Sequence, residues 1–394
     1  MASEQQPTAP PRGFAVSEFE RRTERAQRLM AGWRLDALVL TTEPDVRYFS
    51  GFHTQFWESP TRPWFLAVPF DGHPIAVIPE IGAVGMAETW IDDIRTWPAP
   101  RPEDDGVSLL ATTLRELTKR FGRVGFMLGH ETHLRMPGRD FAALAGQIAP
   151  TEIEDATEIV RQLQMIKSTA EIEKIHYACD LTSAGFEALP SWAHLGDSER
   201  DVCRRLRIDL LERGADNSPY MIAGSGPGGY GDIIMGPSDR VLEDGDVLII
   251  DTGTTFDGYF CDFDRNFAFG TPSDAARRAH EVVYRATEAG LEEARPGTTS
   301  AELWAAMWAV LEGGGALGNS VGRLGHGLGM QLTEGQSHRP GDDTVLKRGM
   351  TITLEPGMEF APGKMMVHEE NIAITEDGAQ LLSRRAPPEM PVIG

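Results

Sequence analysis

Apolar positions recur with helical spacing in some stretches of the chain and as short continuous runs in others, and the two kinds of stretch alternate. Residues 17–33, "SEFERRTERAQRLMAGW", read as a helix, "LDALVLT" (35–41) as a strand, and "PDVRYFSGF" (44–52) as a short helix ending at Gly51. "FLAVPF" (65–70) and "PIAVIPE" (74–80) read as paired strands, 104–121 as a helix, "RVGFML" (123–128) as a strand and "RDFAALAGQI" (139–148) as a further helix. Such alternation predicts one layered α/β domain over 16–160, preceded by a Pro-rich, disordered tail over 1–15. The pattern then changes. "IKSTAEIEKIHYACDLTSAGFEAL" (166–189) opens with Ser168 and Glu171 in capping-box spacing and sets Ile172, Ile175, Cys179, Thr182, Phe186 and Leu189 on one helical face. A second domain is expected over 161–394: another helix ending near Gly214, a strand hairpin at 247–269, helices at about 273–293 and 299–312, and two late strands.

The hairpin carries the first chemical anomaly. "VLIID" (247–251) is an apolar run suited to a buried strand, and "YFCDFDRNFAF" (259–269) follows a Phe-Asp-Gly turn signal. With the turn centred on Phe256 and Asp257, Asp251 falls directly opposite Asp262, and Asp264 shares the face of Asp262 because side chains alternate along a strand. Like charges facing each other across a ladder, about 5 Å apart at Cβ, destabilise a sheet. A solvated acidic face relieved by Arg265 is one solution. The apolar residues on both sides favour burial instead, and buried carboxylates need a cation or a proton.

Composition narrows the function classes. A chain of 394 residues with 41% apolar and 24% charged content fits two globular domains, each large enough to bury a core. A net charge of −22 with no Lys/Arg run disfavours nucleic acid and anionic membrane surfaces as partners. The opening "MASEQQPTAPPRGFA" lacks the apolar stretch of a signal segment, and no apolar run approaches the ~20 residues that span a bilayer, so a cytoplasmic location is expected. Cys179, Cys203 and Cys261 lack CxxC spacing and are expected to be reduced and buried.

Three more segments of the second domain set a metal-competent side chain among glycines or strand residues. "GHGLG" holds His326 where the backbone can approach closely, "TITLEPG" ends a strand at Glu355 before a Pro-Gly turn, and "MVHEENIAIT" places Glu369 and Glu370 in the last strand. Each alone is a weak signal. Together with the aspartate hairpin they form a ligand set of hard oxygens and one imidazole, suited to a pair of divalent cations such as Mn²⁺, Fe²⁺, Co²⁺ or Zn²⁺. Two-metal centres of this kind activate a water held between ions roughly 3.5 to 4 Å apart.

The ordered set Asp251, Asp262, His326, Glu355, Glu369, within "DTGTTFDGYFCDFDR", "GHGLG", "LEPG" and "EENIAITEDG", resembles the M24-like metallopeptidase family of aminopeptidase P, prolidase and creatinase. "MIKSTAEIEKI", "GPSDRVLEDGDVLIIDTG" and "RPGTTSAELW" extend the match, and "LDALVLTTEPDVRYFSGF" resembles the start of the family's N-terminal domain. The resemblance implies an α/β (α+β) chain with a creatinase-like N-terminal domain and a pita-bread catalytic domain, two divalent metal ions, and a homodimer whose subunits complete each other's sites. It also implies that Asp251 holds one metal, that Asp262 and Glu369 bridge both, and that His326 and Glu355 complete the other site. Register against "ENIAIT" selects Glu369 over Glu370.

Peptidases of this family usually carry a histidine three residues before the Pro of the "PSDR"-like segment and another seven residues after the metal-binding His; here Ile234 and Thr333 stand in those places. Both histidines are expected to bind substrate or stabilise the tetrahedral intermediate. Substitute donors are sought in Tyr230, Asp232, His338 and His368, with Ile234 as an apolar wall. Asp264 replaces a small hydroxyl residue and is expected either to join catalysis with His326 and Glu355 or to pair with Arg265. Glu355 is also expected to shuttle a proton. In "GFHTQFWESPTRPWF", Trp57 and Arg62 are expected to reach a neighbouring subunit's substrate, Arg62 by a bidentate grip on a carboxylate; packing on their own subunit is the alternative. The function these residues imply is a metal-dependent hydrolase cleaving a C–N bond in a small Xaa-Pro-like dipeptide or related amide. A non-peptidase member of the same fold, acting on an amidine or a compatible solute or as a metal-assisted lyase, is the second reading. A metal-free binding module is the third, and the complete ligand set speaks against it.

Overall fold

The computed structural model describes residues 7–394; residues 1–6 of the tail expected over 1–15 lie outside the described residues. Contacts divide the chain into two units, Pro11–Gln164 and Met165–Gly394, the second also taking in residues 7–10.

The N-terminal unit contains helices α1 (Val16–Trp33), α2 (Glu43–Ser50), α3 (Ala83–Ala87), α4 (Val107–Leu117), α5 (Gly138–Ile148) and α6 (Thr157–Met165). Its strands are β1 (Ala37–Leu40), β2 (Phe65–Pro69), β3 (Ile75–Pro79), β4 (Asp93–Trp97), β5 (Arg123–Phe126) and β6 (Glu152–Asp155), in the sheet order β4-β3-β2-β1-β5-β6. The four central strands are the apolar runs of the sequence and are buried almost throughout, because helices cover them. Asp36 fixes the entry to β1: its carboxylate accepts the backbone N–H groups of Arg120, Phe121, Gly122 and Arg123 at 2.7–3.3 Å. The loop bearing Trp57 and Arg62 is held by Arg135. That guanidinium donates to the carbonyls of Phe56, Ser59, Thr61 and Arg62 and lies 5.0 Å from the Trp57 ring centroid.

The second unit opens with α7 (Thr169–Ala188), where the Glu171 carboxylate accepts the Ser168 N–H at 2.8 Å as the capping box requires. After α8 (Glu199–Glu212) come β7 (Asn217–Pro227), β8 (Asp246–Phe256), β9 (Tyr259–Phe260) and β10 (Phe263–Phe269), then α9 (Asp274–Glu293) and α10 (Ser300–Gly313). The last part supplies β11 (His326–Gly327), β12 (Glu334–Ser337), β13 (Thr351–Leu354), β14 (Gly357–Ala361), β15 (Lys364–Val367), β16 (Glu370–Ile374), β17 (Ala379–Leu381) and β18 (Val392–Ile393). One sheet runs β18-β10-β8-β7 with β9 on β8, a second runs β12-β11-β13-β16-β17, and β14 pairs with β15. Val283, Ala286, Leu303 and Met307 from α9 and α10 share one core with Ile249 of the first sheet and Ile352, Leu354 and Ile372 of the second. Burial of these side chains at roughly 25 cal/mol per Å² fixes the two sheets against the helices.

The hairpin differs from the sequence expectation by two residues. Its turn is Asp257–Gly258, both at positive φ (51° and 84°), and Phe256 pairs with Tyr259. An Asp-Gly pair suits this turn because its twist matches that of the strands. The Cα partner of Asp251 is therefore Asp264, not Asp262. A shift of two preserves which face each side chain occupies, so all three carboxylates still converge.

Gly325, just before β11, has φ of 135°, and a Cβ there would stand 2.3 Å from the Thr353 carbonyl and 2.6 Å from the His338 ring. Gly325→Ala is expected to lower stability by about 2–3 kcal/mol. The measurement is the urea midpoint at unchanged slope; an unaltered midpoint would show that the loop before His326 is not closely packed.

Candidate metal centre

Both sheets of the second unit deliver acidic side chains to one place. Asp251 and Asp264 face each other across β8 and β10, and Asp262 immediately precedes β10. In the second sheet Leu354 is paired with Glu370, so the same register continued past β13 sets Glu355 beside Glu369. Asn371 joins the two sheets: its Oδ1 accepts the Asp262 N–H at 2.9 Å and its Nδ2 donates to the Asp262 carbonyl. His326 is fixed by two contacts. Its N–H donates to Thr353 Oγ1 at 3.1 Å, and its Nδ1 lies 2.9 Å from the Gly327 carbonyl. That carbonyl accepts an Nδ1 proton and leaves Nε2 as the ligand atom, 3.3 Å from Asp262 Oδ2.

One ligand atom each of Asp262, His326 and Glu369, all three buried, lies within 4.8 Å of the other two. Around them, Asp251 Oδ1, Asp264 Oδ2, Glu355 Oε1 and Glu369 Oε1 are buried without a hydrogen-bond partner. Burial raises Asp251 and Glu369 well above the usual carboxylate range, and their acidic neighbours push them further: chiefly Asp262 and Asp264 on Asp251, and Asp262 and Glu355 on Glu369. Burial also raises Glu355, against the opposing charge of His326. For His326 burial works downward, but the Asp262 hydrogen bond and the Glu355 charge win and the imidazole is raised. Orphaned buried carboxylate oxygens beside a histidine of fixed tautomer fit divalent cations, which would supply the missing partners.

The two sheet-end glutamates have separate tasks. Glu369 faces the centre. Glu370 is paired with Arg265 at 3.0 Å and with Arg385 at 3.1 Å. Arg265 does not pair with the Asp264 carboxylate; it donates to the backbone carbonyls of Asp264 and Glu369. The positive charge that the sequence offered as relief for the hairpin thus holds the chain behind it.

The expected substrate donors are scattered. Tyr230 is buried, and its hydroxyl is occupied: it donates to Asn266 Oδ1 at 2.9 Å and accepts the Val367 N–H at 2.8 Å. Asn266 links it to the centre, its amide reaching Asp264 Oδ1 at 3.4 Å. His338 is fully buried behind Gly325, held neutral with its pKa lowered to about 3 by burial and then by His326. Ile234 is 76% exposed, which contradicts an apolar wall within this chain. Asp232 caps its loop by accepting the N–H groups of Ile234 and Met235. His368 lines a separate cavity of about 260 Å³ with His280, Arg265 and Arg385. Trp57 and Arg62 belong to the N-terminal unit, where Arg62 lies over the Phe56 ring.

Besides Asn371, two residues around the site escaped the sequence reading. The Tyr220 hydroxyl donates to Asp262 Oδ1, and burial followed by the charges of Asp262 and Asp251 raises its pKa well above the usual value, so it stays a donor. Arg323 Nε lies 3.5 Å from Glu355 Oε1. Pairing of β7 with β8 could have revealed Tyr220, which faces Gly253 two residues from Asp251.

A two-sheet fold with a buried acid-histidine centre defines a metal-dependent hydrolase class, and the chain belongs to metallopeptidase family M24, which matches residues 173–376, with a creatinase/prolidase N-terminal domain over 22–166. It is 29% identical to the probable dipeptidase PepE of Mycobacterium tuberculosis over 381 residues, covering 93% of this chain and 95% of that one. It is 26% identical to the Xaa-Pro dipeptidase of Lactobacillus delbrueckii subsp. lactis, covering 87% and 91%. Among solved structures, the dipeptidase PepE of Mycobacterium ulcerans superposes with a TM-score of 0.84 at 28% identity, covering 96% of this chain and 99% of that one. The fold is accordingly the pita-bread arrangement preceded by the α/β domain. No helix among the described residues is long and apolar enough to cross a membrane.

Burial, ahead of any charge, also raises Asp264 well above its ordinary value of 3.8; Arg265 opposes the rise and Glu370 adds to it. The sign follows from linkage: an acid with a raised native pKa leaves stability intact below the unfolded pKa and removes it as pH rises toward the native value. In metal-free protein, Asp264→Asn should therefore match the wild type near pH 4 and exceed it increasingly at higher pH, by up to about 1.4 kcal/mol per pH unit within that window. Denaturant melts from pH 4 to 7 check this. A pH-independent difference would show that Asp264 is not held protonated.

Proposed function

We propose that the protein is a dinuclear metal-dependent dipeptidase acting on Xaa-Pro or closely related small C–N substrates. The convergence of Asp262, His326 and Glu369, with further buried carboxylate oxygens of Asp251, Asp264 and Glu355 that lack a hydrogen-bond partner, carries this reading. On the family pattern Asp262 and Glu369 would help hold both ions, Asp251 one of them, and His326 with Glu355 the other. Bound divalent cations supply Lewis-acid polarisation of a carbonyl and activation of water at neutral pH. The chain's own residues do the rest. Glu355, whose buried Oε1 has no hydrogen-bond partner and lies 3.5 Å from Arg323 Nε, accepts and returns a proton as the C–N bond breaks. Tyr220, Asn371 and Thr353 hold Asp262 and His326 in position.

Metal analysis of dialysed protein should find close to two divalent ions per chain, manganese, iron, cobalt or zinc, with turnover of Xaa-Pro dipeptides. Asp262→Ala should lose metal and lower turnover by at least about a hundredfold, more than outer-shell changes cost. Full activity without metal would overturn the assignment.

The family relationship further supports a homodimer in which Arg62 and Trp57 of one protomer serve the partner's centre. Mixing Arg62→Ala with Asp262→Ala protein under subunit exchange should then restore part of the activity, because one hybrid site is intact. Proven exchange without recovery would remove the shared-site idea.

A further inference from the structure

The cavity of about 260 Å³ that holds His368 lies apart from the metal centre, on the reverse face of β10. Side chains alternate along that strand, so Asp264 turns to the acids while Arg265 and Phe267 turn the other way and line the cavity. Phe186 and Phe267, their ring centroids 6.2 Å apart, form apolar walls with Pro190 and Pro387. An apolar cavity of about 150 Å³ takes a benzene ring, so this one has room for a ring that carries a substituent.

Its polar groups are unevenly satisfied. His368 is occupied on both nitrogens, by Thr287 Oγ1 at 2.9 Å and by Arg385 Nη1 at 3.3 Å. Arg265 and Arg385 are both engaged by Glu370, and Arg385 by Glu288 as well. His280 is different: it is 4% exposed, and neither ring nitrogen has a hydrogen-bond partner. Burial lowers its pKa to about 4, the nearby Pro387 carbonyl opposing without completing a hydrogen bond and Arg265 and Arg385 adding to the fall. The ring is therefore neutral at neutral pH and offers one donor and one acceptor, and a buried group left in that state is a place for a ligand to bond. Arg384 is the second open group. Its Nε lies 3.3 Å from Asp180 and its Nη1 2.7 Å from Glu187, and Nη2 donates to no group among the described residues.

Charge decides the class of ligand. The lining holds three guanidinium groups, of Arg265, Arg384 and Arg385, against one carboxylate, Glu187, in a chain whose net charge is −22. A free guanidinium N–H and an imidazole N–H both donate, and a carboxylate accepts from both. We propose that this cavity is a second ligand site, taking a small apolar monocarboxylate whose hydrocarbon part lies against Phe186 and Phe267 and whose oxygens accept from His280 and Arg384. The site does not depend on the peptidase reading, because none of its residues is a metal ligand.

The probe is benzoate, titrated calorimetrically into the metal-loaded full chain beside benzamide, its uncharged analogue. The wild type should bind benzoate saturably and benzamide at least about tenfold more weakly, as loss of a charged hydrogen bond implies. His280→Phe, which keeps a ring but no nitrogen, and Arg384→Gln should each weaken benzoate at least about tenfold. A carboxylate can also ligate a metal, so Asp262→Ala serves as the control and should retain the cavity's benzoate binding. Binding that is lost in Asp262→Ala and kept in both cavity variants belongs to the metal centre and overturns the proposal, as does the absence of saturable binding. Should a variant fail to fold, crystals of the wild type grown with para-bromobenzoate locate the ligand through the anomalous signal of bromine. A peak between Phe186 and Phe267 supports the site; a peak only elsewhere, or none, overturns it.

Discussion

Like-charge repulsion among buried carboxylates is the constraint on which the second unit turns. Two sheets place Asp251, Asp262, Asp264, Glu355 and Glu369 together, and the nearest guanidinium in the first sheet, Arg265, is turned to Glu370 and to backbone carbonyls. A buried charge without a partner costs several kcal/mol, comparable to the net stability of a domain. Protons satisfy the carboxylates at low pH; cations satisfy them at neutral pH and add chemistry.

The rest of the unit holds that crowded arrangement in place. Asn371 stitches Asp262 to the second sheet, the Tyr220 hydroxyl covers one Asp262 oxygen, and Tyr230 holds Asn266 against Asp264. None of these groups carries a charge, so none competes with a cation for the acids. Each removes freedom from a ligand instead, which is how outer groups tune a metal site. Arg323 is the exception, a cation at the edge whose Nε lies 3.5 Å from Glu355 Oε1.

Much of this was legible in the sequence because its signals were local. Continuous apolar runs marked β1, β2, β3, β5 and β8, and capping chemistry marked the start of α7. β4 and β6 were not visible: "DIRTW" and "EIED" are short, charged edge strands whose existence depends on neighbours already in place. β7 was hidden by Pro219, Gly224, Gly226 and Pro227, which read as loop residues and are overridden by pairing with β8. The metal-ligand candidates could be read from their residue types in strand and glycine contexts. Tyr220, Arg323 and Asn371 could not, since only strand pairing and sheet packing bring them to the centre. The hairpin register was misjudged because Phe-Asp-Gly offers two turn positions, and the positive φ at both Asp257 and Gly258 selects the second.

If cations replace protons at this centre, metal binding must release protons. Calorimetric titration of metal-free protein with Mn²⁺ at pH 6.5, in buffers of different ionisation enthalpy, measures that number directly. Carboxylates raised as Asp251 and Glu369 are predict release of about one proton or more per chain. Tight binding with no proton release would contradict the account, because the carboxylates would then have been ionised and unpaired before any metal arrived.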